Sequence, residues 1–287
     1  MVKIGIGVPT TIDGVSGDLL IAWAKRADAL GFSSLSFIDR IAHSNYEVMT
    51  TLGAMAAVTS RIRLLPSVIL GTTRSNGLLA KQAATIDRLS NGRLSLGLGI
   101  GARRDDYDAV ELPYTNRGRR FEEQLATLKR LWRGEPYSDS VGPIGPPPVQ
   151  PGGPELLIGA FTPSALMRVG RYADGYIGVR VPADIAACFK HVEDGWQSAG
   201  RSGTPRFVAL NAFALGPDAA ARGEVSVRAY YAYWTERVDF IAQSTLSTPE
   251  AIREFVHDCE AIGVDEILLN PTIAELDQID RLREVLP

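Results

Sequence analysis

A chain of 287 residues is long for one ordinary core but has the length at which a parallel α/β barrel closes as a single unit. Hydrophobic residues at 45% and charged residues at 22% are the balance of a folded globular chain, which excludes disordered, collagen-like and coiled-coil classes. The formal net charge of −3 comes from 33 acidic and 30 basic residues spread along the chain, so there is no basic stripe for a nucleic acid and a small-molecule partner is expected.

The run Lys3–Val8 predicts a strand from the outset, and no stretch approaches the roughly 18 uninterrupted apolar residues of a membrane span. A cytoplasmic address is therefore expected. Further strands are predicted at Ser33–Ile38, Ile62–Leu70, Leu94–Leu98, Leu156–Ile158, Gly175–Val179, Arg206–Ala214 and Val264–Leu269. Between them lie helical patterns near 16–31, 47–60, 76–90, 116–133, 163–173, 183–199 and 217–262, the last containing several helices, and a closing helix near 275–285. Ser16 and Gly31 punctuate the first helix, and Thr248-Pro249 reads as an N-cap followed by proline at the first helical position. Eight strands, each followed by helix, predict a (β/α)8 TIM barrel spanning residues 1–287 as one domain; a doubly wound sheet is the competing arrangement. The Gly/Pro-rich segment 134–154 is where two domains would be cut, and it also suits a long barrel loop of extended backbone.

In a parallel barrel, chemistry gathers at the carboxyl ends of the strands. Those ends carry Asp39-Arg40 with His43 after the second strand and Pro66-Ser67-Val68 within the third. Gly99, Gly101 and Arg103 follow the fourth, Gly159-Ala160-Phe161-Thr162 the fifth, the sixth ends near Gly178–Arg180, and Asn270-Pro271 close the eighth. The glycines of Gly97–Ala102 formally match a dinucleotide fingerprint, but no strand ending in a ribose-binding acid follows. They equally suit a planar cofactor or its phosphate lying against the backbone, or close helix–strand packing. Gly159–Thr162 leads from strand into helix, where free N–H groups can hold an anion or where Thr162 simply caps.

His43 is the histidine of a strand-end loop, the other two falling in outer helices, and is thus the candidate proton donor. Asp39 can meet a polar ligand edge or pair with an arginine. The aromatic group Tyr230, Tyr231, Tyr233, Trp234 and Phe240 reads as a pocket wall or as helix core. Cys188 and Cys259 stand 71 positions apart with no ligand spacing, so neither a disulfide framework nor a metal site is expected.

The segment Ala83-Ala84-Thr85-Ile86-Asp87-Arg88-Leu89-Ser90-Asn91-Gly92-Arg93, continuing through Leu94–Gly99, resembles the bacterial luciferase-like superfamily of flavin- and deazaflavin-dependent oxidoreductases. Arg61-Ile62-Arg63-Leu64, Arg117–Glu122, Gly153–Gly159 and Tyr172–Tyr176 extend the resemblance over most of the chain. It implies a luciferase-like barrel, a homodimer, and reduced coenzyme F420 or alternatively FMN at the strand ends. It further implies that Ser67-Val68 is a cis peptide backing the ring and that Asp39 approaches that ring. Gly99, Gly101, Arg103, Gly159, Ala160, Phe161 and Thr162 would then hold the ribityl-phosphate tail. Many deazaflavin members carry Asp-His where this chain has Asp39-Arg40, which leaves His43 or the substrate as proton source and makes Arg40 a binder of an anionic group or a partner for Asp39. The resemblance thus implies hydride transfer to an imine or activated alkene, or oxygenation by reduced FMN supplied by a separate reductase, or a flavin-binding protein without turnover. Small residues Ala54, Ala56, Ala57, Ala80, Ala83 and Ala84 on the second and third helices would allow close approach in a dimer.

Overall fold

A computed structural model describes residues 1–179 and 181–286. The elements in chain order are β1 (Lys3–Gly7), α1 (Gly17–Ala29), β2 (Ser34–Phe37), α2 (Val48–Val58), β3 (Arg63–Pro66), β4 (Ile69–Leu70), α3 (Asn76–Leu89) and β5 (Ser95–Gly99). There follow α4 (Arg104–Asp108), α5 (Arg117–Trp132), β6 (Pro136–Ser138), β7 (Val141–Pro143), β8 (Glu155–Gly159), α6 (Pro163–Tyr172), β9 (Gly175–Val179) and α7 (Pro182–Ser198). The chain continues through β10 (Arg206–Phe213), α8 (Ala219–Tyr230), α9 (Val238–Gln243), α10 (Pro249–Ala261), β11 (Glu266–Pro271) and α11 (Asp277–Val285).

Parallel pairing runs β3-β2-β1-β11-β10-β9-β8-β5-β4, and a parallel bridge between Leu64 and Leu94 joins β3 back to β5. The result is a (β/α)8 barrel of eight staves. The third stave differs from the continuous strand that its sequence predicts: it is broken into β3 and β4 at a cis peptide between Ser67 and Val68. Segment 134–154 departs from a plain extended loop, because β6 and β7 form an antiparallel hairpin. Asp87 ties the rest of that segment to the barrel, accepting the N–H groups of Val149 at 2.7 Å and Gln150 at 3.0 Å and the Gln150 amide at 2.7 Å.

Helix ends follow from their caps. Ser16 accepts the Leu19 N–H at 3.2 Å to start α1, and Thr248 accepts the Ala251 N–H at 3.1 Å to start α10. Gly31, at φ 78°, takes the left-handed conformation that ends α1.

Side chains alternate between the two faces of each stave, so every second residue faces the barrel axis. At the amino end this inner layer is charged: Arg206 pairs with both Glu155 and Glu266, and the Ser95 hydroxyl donates to Glu155 at 2.6 Å. One step up, Leu65, Leu157, Ile177, Val208, Leu210 and Leu268 form an apolar plug. Above the plug the pattern reaches Gly7, Gly99 and Gly159, which leave room for the side chains of Asn270 and Val68 from other staves. Ala56, Ala80, Ala83 and Ala84 are buried within the chain itself, whereas Ala54 and Ala57 remain exposed.

Candidate active site

The third stave sets the geometry at the carboxyl end. A Cβ on Gly97 would lie 1.9 Å from the Pro66 carbonyl oxygen, and one on Gly99 would lie 2.6 Å from Val68 Cγ2. A Cβ on Gly159 would stand 3.4 Å from Val68 Cγ1. These glycines therefore make room for the Pro66-Ser67-Val68 segment, and Ser67, Val68, Gly99 and Gly159 are brought into one place. Ser67 is held there by its N–H, which donates to the Phe37 carbonyl at 2.7 Å, and by a hydroxyl contact with Ser36. Gly101, at φ 68°, turns the chain over Leu70.

Asp39 has a side chain with no exposed surface. Its carboxylate accepts Arg74 Nη1 at 2.6 Å, Arg74 Nη2 at 3.2 Å and the Leu70 N–H at 2.9 Å. Burial works against the Arg74 charge, but Asp39 and Glu47 hold its pKa above the ordinary arginine value. Of the two alternatives for Asp39, the arginine partner is present, and it is Arg74 rather than Arg40.

Arg40 turns to a different acid. Its Nε donates to Asp106 at 2.7 Å, while Asp106 also accepts the N–H groups of Ile41 at 2.8 Å and Ala42 at 2.9 Å. This carboxylate, 1% exposed, fixes the loop after β2. Sequence reading missed it because α4 is too short to show a helical period; the signal was an acidic pair one turn after the Gly99–Arg103 glycines. Arg103 pairs with Asp105, which raises the guanidinium pKa and lowers the carboxyl, and stacks on Tyr233 with its guanidinium 4.2 Å from the ring centroid.

His43 lies edge-on to Tyr230, with ring centroids 5.2 Å apart. Two buried nitrogens in this group lack a protein hydrogen-bond partner: His43 Nδ1 and Arg40 Nη1. Buried polar atoms left in this state mark a place where a ligand or water completes the bonding.

Tyr230 also lines a cavity of about 140 Å³ over the carboxyl ends of the staves. Its floor includes Ile38, Leu210, Asn211 and Asn270, its side Phe161, and its roof Tyr231, Trp234 and Phe240. The aromatic group is thus a pocket wall for these residues, while Tyr233 covers Arg103 instead. Burial drives the Tyr230 phenol pKa well above its ordinary value and that of Tyr231 up to about 12. Both remain protonated phenols at neutral pH.

Among the candidate binding residues Phe161 lines the cavity, and it leads directly into α6. Thr162 takes the N-cap position without making a side-chain cap bond, and Phe161, Thr162 and Ser164 are exposed. The opening N–H groups of α6 are consequently available to an anion. Arg180, which the sequence sets at the end of the sixth predicted strand, lies outside the described residues.

The broken third stave, the glycines that seat it and the aromatic cavity over the strand ends put the candidate site at the carboxyl end of an α/β barrel. Residues 3–266 match the model of the luciferase-like monooxygenase family, and the chain belongs to that family. It is 38% identical over 179 residues to an uncharacterized Mycobacterium tuberculosis protein, a match covering 60% of this chain and 63% of that one. It is 34% identical over 201 residues to a phthiodiolone/phenolphthiodiolone dimycocerosates ketoreductase of the same organism, covering 64% of this chain and 52% of that one. Both matches span less than two thirds of the relative. An F420-dependent secondary alcohol dehydrogenase, solved with an F420-acetone adduct, superposes with a TM-score of 0.83 at 17% identity, covering 99% of this chain and 98% of that one.

Proposed function

We propose that the chain uses reduced coenzyme F420 to reduce a polarised double bond in a small organic substrate, an imine, an activated alkene or a carbonyl. The observation that carries this reading is the carboxyl end of the barrel, where glycines seat Val68 at the break in the third stave and an aromatic cavity lies over strand-end residues Ile38, Asn211 and Asn270. The ketoreductase relative supports reduction and adds the carbonyl to the candidate substrates.

The donor set fits such a cofactor. Ser67, Val68, Gly99 and Gly159 would support the ring, and Gly101, Ala160, Phe161 and Thr162 would hold the ribityl-phosphate end at the uncapped start of α6, while Arg103 would contribute only by sharing its guanidinium between Asp105 and the phosphate. A reduced deazaflavin held there would supply the hydride for the carbon of the double bond. The protein's part is orientation, water exclusion and the proton that the heteroatom or the second carbon takes up. Tyr230 presents a protonated phenol to the cavity, with His43 behind it and Arg40 close by, so the proton passes from this group. Asp39 acts indirectly by fixing Arg74 and β4.

The same reading takes the whole chain as one barrel unit, working as a cytoplasmic homodimer alongside a separate reductase that regenerates the cofactor. A second reading, oxygenation of the substrate with reduced FMN, is supported by the monooxygenase description of the family. A third, cofactor binding without turnover, is favoured by Arg40 in the place of a histidine.

Titration of the purified protein with F420 and with FMN, followed by fluorescence and repeated anaerobically with each reduced form, separates these readings. Selective binding of reduced F420 together with consumption of that form by an imine, enone or ketone is the expected result. Selective binding of reduced FMN with oxygen uptake sinks hydride transfer. Binding with neither reaction across the panel would favour the third reading.

A further inference from the structure

The charges around the cavity are distributed unevenly. Among the described lining residues one is charged, Arg237, and none is acidic. Several other arginines near the carboxyl face are neutralised by carboxylates, Arg40 by Asp106, Arg74 by Asp39, Arg103 by Asp105, Arg222 by Glu275, and Arg228 by Glu224 and Asp239, while Arg104 and Arg117 lie over Tyr114 and do not line the cavity. Arg237 has no carboxylate within 4.0 Å among the described residues, and its guanidinium instead sits 5.3 Å from the centre of the Trp234 ring. Trp234 is itself a roof residue of the cavity. The tryptophan face thus keeps the cation at the cavity rim.

Much of the rest of the wall is apolar, with Val227, Ile241, Phe240 and the tyrosines facing Ile38, Leu210 and Pro271, and its other polar groups, such as Asn211, Asn270 and Ser244, are uncharged. Such a wall takes an apolar body, and one unpaired guanidinium matches one negative charge in a charge-assisted, bidentate pairing. A dianionic phosphate would call for further cations.

We propose that the substrate is an apolar molecule bearing a single carboxylate, and that Arg237 is the residue selecting it. The inference rests on the cavity being the substrate site in the oxidoreductase reading above, and it names the class of molecule that site admits. The reacting double bond lies at the apolar end, towards Tyr230 and the barrel axis, while the carboxylate stays at the solvent-facing rim.

The test uses N-phenylnaphthylamine, a neutral fluorescent probe, displaced from the full-length protein by decanoate or by decanol. Decanoate should compete about tenfold better than decanol, and Arg237→Gln should abolish that preference while leaving displacement by decanol within about twofold. Trp234→Ala should weaken displacement by both. Equal competition by the two molecules, or a carboxylate preference that survives Arg237→Gln, overturns the proposal; so does failure of the probe to bind. Titrating F420 into the same variants keeps the two claims apart. Unchanged F420 affinity with a lost carboxylate preference supports both. F420 binding in a protein that shows no carboxylate preference overturns this inference alone, whereas a preference without binding of F420 removes the cofactor reading alone.

Discussion

Asp39 and Arg74 form a two-point pair at 2.6 and 3.2 Å that ties the end of the second stave to the segment following the third. The aspartate side chain is fully buried and the arginine side chain is 9% exposed. Removing Arg74 strands the Asp39 carboxylate in a low-dielectric site, whereas removing Asp39 leaves Arg74 paired with Glu47 at 3.1 Å. Arg74→Leu should therefore cost about 3–5 kcal/mol in denaturant unfolding, and combining it with Asp39→Ala should recover part of that loss. Simple additivity of the two substitutions would show that the pair is not coupled.

Gly97 and Gly99 differ in what crowds them, and that difference predicts opposite behaviour in double variants. Gly99→Ala meets the Val68 side chain and should cost about 1–3 kcal/mol, most of it restored by Val68→Ala. Gly97→Ala meets the Pro66 carbonyl, which no side-chain truncation moves, so Val68→Ala should bring no relief. Thermal unfolding of the three single and two double variants checks this directly.

Asp28 supplies the clearest pH dependence. Burial raises its pKa, but the N–H groups of Ser60, Ile62 and Arg61 and the Ser60 hydroxyl outweigh burial and leave the carboxyl below its ordinary value. A carboxyl lowered by folding stabilises the protein fully above its unfolded pKa of about 3.9, and this is lost as the pH falls through the lower folded value. Asp28→Asn should cost about 2 kcal/mol near neutral pH, and the gap from the parent should close below the ordinary carboxylate range. A gap of constant size down to the acid limit would contradict the assignment.

Thr162→Asp should separate stability from binding. An aspartate at the N-cap of α6 can accept the opening N–H groups and complement the helix dipole, raising stability by about 0.5–1 kcal/mol. The same charge repels a phosphate from those N–H groups, so F420 affinity should fall by about tenfold or more. Unaltered affinity would move the cofactor tail away from this helix.

The barrel was readable because its signals are local. Apolar runs such as Gly175–Val179 and caps such as Ser16 and Thr248 record their own backbone state, and eight strand–helix repeats leave few ways to close a parallel sheet. The break in the third stave has no such local signature, and its cis peptide at Ser67-Val68 is expected from the family resemblance alone. Pro66-Ser67-Val68 reads as strand, and only Gly97, Gly99 and Gly159, contributed by neighbouring staves, explain where its side chains go.

Partner choice was equally beyond the sequence. Asp39 and Arg40 are adjacent in the chain, yet Asp39 takes Arg74 and Arg40 takes Asp106, because successive residues beyond a strand point to different sides of the barrel mouth. The aromatic residues after the seventh stave were visible as a group. Their division between the cavity wall at Tyr230 and Trp234 and the cover over Arg103 at Tyr233 depends on how α8 and the turn after it lie across the barrel. Sequence by itself determined the element order, the barrel and the loops that carry chemistry, since these follow from local periodicity and punctuation. Tertiary structure decided which charges neutralise one another and which, like Arg237, stay unpaired, because contacts between residues far apart in the chain have no period to read.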